Sequence, residues 1–90
     1  MSMVGADVAA LRAFARSLRH RQQEIEATRR RLAAVVEHLP WTGPDHDRFV
    51  DEWRGVHAPG LARLIGELGS ASSEAYHHAN RQEQASRRWS

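Results

Sequence analysis

Apolar residues recur at every seventh position through the first forty of this chain: Val4, Leu11, Leu18, Ile25, Leu32 and Leu39. Phe14 and Val35 stand three residues beyond members of this series, and Val8, Ala15 and Val36 widen the stripe. That is the pattern of a helix burying a broad face in a bundle. Arg21 and Thr28 occupy two of the companion positions, so the seam has a polar middle. The pattern predicts a first helical arm starting near Asp7, a residue suited to cap it. It ends near Leu39, because Pro40 disfavours helical backbone in the residue before it.

A second helical series follows in Phe49, Trp53, Val56, Gly60, Leu64, Leu68, Ala71, Ala75 and Ala79. Pro44 suits the first helical position, and Asp45 and Asp47 then lie where the helix dipole favours negative charge. Gly55, Pro59, Gly60, Gly66 and Gly69 weaken this arm. An interior proline costs ~3 kcal/mol and a glycine ~1 kcal/mol relative to alanine. A kink or short break is therefore expected at Ala58–Gly60. Beyond Ala79 the chain turns polar and loses its period. The expected organisation is a hairpin domain over 1–80, with arms at about 7–39 and 44–80, and a flexible polar tail over 81–90. The fold class is all-α: a two-helix antiparallel hairpin with its bend at Trp41–Gly43. Arms of about 30 residues make a thin rod ~45 Å long.

The arm-one stripe is wider than one facing arm can cover. A lone hairpin would leave wet either Val8, Ala15 and Val36 or the opposite flank. A second hairpin is expected to cover what remains, giving a four-helix bundle by dimerisation. The residues expected in the core and dimer seam are Leu11, Phe14, Leu18, Ile25, Leu32, Val35, Phe49, Trp53, Leu64 and Leu68. Size agrees with this need for a partner. Ninety residues form one small domain, and the absence of cysteine removes any disulfide staple.

Charge narrows the functional classes. All thirteen basic residues are arginine, but eleven acids leave a formal net charge of only +2. Arg29, Arg30 and Arg31 read as a solvated helix face paired with Glu24 and Glu26. No aromatic residue interleaves them, as single-strand nucleic-acid binding would favour. A small basic nucleic-acid-binding bundle is thus the least favoured alternative. No nucleophile–base pair, phosphate loop or metal spacing is recognisable. Asp45, Asp47 and Asp51 beside His46 read as helix-start acids, and His77 and His78 cannot share one ion from a regular helix. The reading is of a non-enzyme with no cofactor, metal or small-molecule substrate. No apolar run suits membrane insertion, and the N-terminus lacks the basic and apolar regions of a cleaved leader. Synthesis in the cytoplasm and export without such a leader are expected.

The bend itself, Trp41-Thr42-Gly43, carries the most specific signal. A Trp-X-Gly tripeptide between two long helical arms resembles the WXG, or ESAT-like, family of type VII secretion substrates, and the likeness spans nearly the whole chain. It implies a small secreted substrate or adaptor of an ESX-like system in an actinobacterium. Such a protein travels as a dimer with itself or a sister WXG-type protein and is recognised by the secretion-system ATPase. The resemblance also implies a recognition surface made from Trp41 and Gly43 together with a C-terminal Tyr-X-X-X-Asp/Glu signal. Tyr76 stands where that signal would start, with Asn80 in place of the acid. Trp41 has a second reading, as a clasp that sets the hairpin angle. The functional alternative is a cytosolic chaperone or targeting partner for a larger type VII toxin.

Overall fold

The computed structural model describes residues 3–88; Met1, Ser2, Trp89 and Ser90 and the side chains of Met3 and Val4 lie outside the described part. Helix α1 spans Met3–Glu37, α2 spans Pro44–Glu52, a π-helical turn spans Trp53–His57, and α3 spans Ala58–Arg88. α1 and α3 lie antiparallel and supply most of the tertiary contact. The molecule measures 69 × 17 × 12 Å, with a radius of gyration of 20.1 Å. A compact chain of this length would have a radius near ~12 Å. The hairpin is a rod.

The bend forms where the chain carries its punctuation. His38 donates its backbone N–H to the carbonyls of both Ala34 and Val35, at 3.2 Å each, and closes α1. Gly43 then takes φ 116° and ψ 178°, a conformation open essentially to glycine alone. Its carbonyl accepts the Asp47 N–H at 3.0 Å and starts α2. Pro44, Asp45 and Asp47 occupy the first turn, as their chemistry predicts.

The seam between the arms is made of small residues. Ala15, Ser72 and Ala79 are fully buried, with Val8, Val36, Val50 and Ala75 close behind. The Ser72 hydroxyl donates to the Ala15 carbonyl at 2.8 Å, and the Gln22 amide donates to the Ile65 carbonyl at 3.2 Å. A methyl on Gly69 would lie 2.5 Å from the Gln22 amide nitrogen, so the glycine makes room for that clasp. These polar pins join residues 57 and 43 positions apart in sequence. They fix the register of one arm on the other.

Four expectations are corrected. α1 begins at Met3, so Asp7 lies inside it rather than capping it. The irregularity in arm two sits one turn earlier than Ala58–Gly60. The Ala58 N–H reaches back to the Trp53 carbonyl, and the widened turn absorbs the hydrogen bond that Pro59 cannot make, without breaking the helix. The polar stretch after Ala79 remains helical through Arg88. Finally, the series expected to form the core and dimer seam does not line the seam between the two arms of the hairpin itself. Phe14 is 56% exposed, Leu32 40%, Val35 58%, Phe49 41% and Leu64 41%. Leu11, Leu18, Ile25, Trp53 and Leu68 are only half-buried. The hairpin packs along the Val8–Ala15–Gln22–Arg29–Val36 edge of the stripe and leaves the opposite flank wet.

Candidate functional site

A helix turns about 100° per residue, and this converts the seam into two broad faces. On α1, Leu11, Leu18 and Ile25 lie just to one side of the Val8–Ala15–Gln22 line, with Phe14 and Leu32 further round. Arg12, Arg19 and Glu26 lie on the other side. On α3, Leu64, Leu68 and Ala71 fall on the flank that also carries Gln82. A shallow groove lined by Asp7, Ala10, Leu11, Phe14 and Gln82 shows that this flank adjoins Phe14. One broad face of the rod therefore carries a strip of leucine, isoleucine and phenylalanine, interrupted by Arg21 and Thr28 and bordered at the open end by Asp7 and Gln82.

The opposite face is polar. It holds an open groove of about 710 Å³ whose lining includes Arg19, Gln22, Gly66, Gly69, Ser73 and His77. Ion pairs run along and across this side. Glu26 receives Arg29 at 2.6 Å and Arg30 at 3.2 Å. Arg12 of α1 reaches over to Glu83 of α3, and also donates to the Asn80 side-chain oxygen at 3.3 Å. Arg87 approaches the same carboxylate at 2.7 Å. Hydrogen bonding by Arg12, reinforced by its charge, holds Glu83 below the usual carboxylate range. The Arg29 hydrogen bond does the same for Glu26, and Arg21 for Glu24.

The tip is aromatic. The Trp41 ring meets His46 edge-on, with centroids 5.6 Å apart and planes at 86°. It tilts over Phe49 at 6.2 Å and 47°. Both contacts come from the first turns of α2, so Trp41 does clasp the bend to the arm that follows. The ring is nevertheless 44% exposed, although α2 packs against it through His46 and Phe49. Clasp and open surface coexist in one residue.

Tyr76 and Asn80 do not join this tip. The pins Ala15–Ser72 and Gln22–Ile65 place Tyr76 opposite the start of α1. From Pro44 to Tyr76 the arm climbs 32 residues, roughly 48 Å. Trp41 and Tyr76 thus lie toward opposite ends of the rod, and no single hairpin unites them. Tyr76 is half-buried, and Asn80 is engaged by Arg12. Sequence spacing passed over Glu83, which lies seven residues beyond Tyr76 on the same helix face. The Arg12 bridge, spanning 71 positions, brings Asn80 and Glu83 to one cation. The arm register, once known, locates that contact; local pattern does not.

Among the described residues no three histidine, aspartate or glutamate side chains are grouped to hold a metal ion. Among the described residues no helix is long and apolar enough to cross a membrane. Comparison with protein-family models, with curated proteins and with solved structures finds no match to this chain.

Proposed function

We propose that this hairpin is a partner-binding protein whose outward apolar face docks a second helical hairpin, and that it serves as a substrate or adaptor of a type VII, ESX-like secretion system. The observation that carries the docking reading is the position of the heptad series. Leu11, Phe14, Leu18, Ile25 and Leu32 keep the spacing of a helix–helix seam, yet the chain's own second arm leaves Phe14 and Leu32 exposed and Leu11, Leu18 and Ile25 only half-covered. From Leu11 to Leu32 the strip runs roughly 32 Å at ~1.5 Å per residue, along a rod 69 Å long. An apolar strip of that extent on a small protein marks an interaction surface.

The secretion reading rests on the Trp-X-Gly bend. An exposed Trp41 at the end of a thin rod offers a large amphipathic surface to a recognition protein, here the secretion-system ATPase. A joint signal with Tyr76, Asn80 or Glu83 requires a second chain, since the two elements lie far apart on one hairpin. Export in a host carrying the secretion ATPase tests it. Trp41→Ala loses part of one clasp, so it should remain folded and fail to be exported. Normal export of the folded variant would overturn the role.

The same apolar face would serve a chaperone or targeting partner that receives the helical leader of a larger toxin. Nucleic-acid binding draws no support from Arg29 and Arg30, which are both paired with Glu26.

A further inference from the structure

The groove on the polar face serves neither the hairpin seam nor the apolar strip. It is open because α3 presents little bulk there: Gly66, Gly69, Ser70 and Ser73 line it, and a methyl on Gly66 would meet nothing within 4 Å. Gln22 is committed to the Ile65 carbonyl and closes the groove on the seam side. Arg19 of α1 and His77 and Arg81 of α3 stand around this floor, with Glu74 the one carboxylate in the lining. Other arginines of the rod are spent on neighbours. Arg12 and Arg87 hold Glu83, Arg21 holds Glu24, and Arg29 and Arg30 hold Glu26. Arg19 enters no ion pair or hydrogen bond among the described residues. Arg81 donates to the His78 ring at 3.2 Å, a contact that leaves its charge unmatched by any carboxylate.

We propose that this groove binds a linear phosphate chain, with Arg19 and Arg81 holding its anionic oxygens and Ser70, Ser73 and His77 donating to them. Guanidinium forks and hydroxyl groups are the donors that phosphate oxygens take. The Ala15–Ser72 and Gln22–Ile65 pins set Arg19 beside residues 65–72, and Arg81 stands at least roughly 13 Å further along α3. The cations are therefore strung along the groove, and a chain of charges matches them better than one compact ion. No aromatic ring lines the groove, so the bases of a single-stranded nucleic acid would find no platform on which to stack. Arg19 belongs to one arm and the other donors to the second, so the site exists only with the arms in register. A ligand there stabilises the folded hairpin by mass action. The site lies across the rod from the apolar strip and stands whether or not that strip is occupied.

Tripolyphosphate titrated into the full chain at fixed ionic strength, followed by calorimetry and by thermal melting, tests the site. The expected result is saturable binding with a raised melting temperature. Arg19→Gln and Arg81→Gln should each weaken it about tenfold, the worth of one charge-assisted contact, and Glu74→Gln should tighten it. Arg16→Gln removes the same charge from α1 at a separate depression, and should change the affinity by less than about twofold, because salt screens an exposed charge outside the groove. Far-UV circular dichroism of each variant keeps loss of fold apart from loss of binding. Equal weakening by Arg16→Gln and Arg19→Gln would overturn the site and leave only a diffuse attraction to the basic end. Absence of saturable binding would overturn it outright. Inorganic phosphate binding as tightly as tripolyphosphate, or an oligothymidylate binding more tightly than a phosphate chain of equal charge, would overturn the ligand class.

Discussion

Neighbouring residues on α1 separate the hairpin seam from the docking face. Ala15 is 0% exposed beneath Ser72, whereas Phe14 is 56% exposed. Replacing Ala15 by glutamate forces a longer, charged side chain into a seam of alanine and serine. Overpacking costs typically 1–3 kcal/mol, and an unpaired buried carboxylate costs several kcal/mol more. A domain rarely holds more than about 5–15 kcal/mol in total. Ala15→Glu should therefore unfold the chain at every concentration. Phe14→Glu removes a ring already more than half in water. Full burial of such a side chain is worth ~1.5–3 kcal/mol, so the loss to the hairpin is about 1 kcal/mol. What it destroys is assembly, because it puts a charge into the apolar strip at its most exposed aromatic residue. The assay is thermal melting by far-UV circular dichroism over a hundredfold range of protein concentration, beside light scattering. Wild type should melt higher as concentration rises, by mass action on the assembled state. Phe14→Glu should melt at one temperature throughout, with a monomeric mass. If Ala15→Glu melts like wild type while Phe14→Glu unfolds even when dilute, the seam and the docking face have been assigned the wrong way round.

Gly43→Ala should lower the melting temperature by the equivalent of ~1–3 kcal/mol, the cost of a side chain in a glycine-only region; an unchanged melt would show that the bend relaxes freely. Pro59→Ala restores a backbone donor and a better helix former, so it should raise the melting temperature, and a clear fall would mean the π-helical turn is required by the fold. Glu83 has its folded pKa depressed by Arg12, so its contribution is present above the ordinary carboxylate value of 4.5 and is lost as pH falls through the lower folded value. Acidification should loosen the open end first, seen as faster amide exchange near Arg12 and Glu83, and Glu83→Gln should remove that acid-sensitive step.

The hairpin was legible because its signals are local. The seven-residue spacing gives arm one, and Pro40, Gly43 and Pro44 mark the stop, the turn and the restart. Which flank of the wide stripe would face α3 was not legible. It depends on Ser72, Ala75 and Ala79 being small enough for Ala15 to approach closely, a property of the pair of arms rather than of either. Large apolar residues suggested the core, but small ones make the tighter helix contact and leave the large ones outward. The π-helical turn escaped because a proline's lost hydrogen bond can be absorbed a turn upstream, at Trp53–His57, instead of at the ring. Helix through the polar stretch after Ala79 escaped because its anchor, Arg12, lies at the far end of the sequence. Trp41 was legible as a residue at the bend; that it would clasp His46 and Phe49 and still remain half open required the geometry of α2.

A partner seated on the outward strip, as proposed, would shield Leu11, Phe14, Leu18, Ile25, Leu32 and Leu64 from solvent. Hydroxyl-radical footprinting of the full chain, at concentrations below and above assembly, tests it most directly. Phe14, Leu18, Leu32 and Leu64 should become protected on assembly. His77 and Arg19, on the polar face, should be modified equally in both states. Protection confined to the polar groove, with Phe14 and Leu32 modified as readily in the assembled protein as in the dilute one, would contradict it.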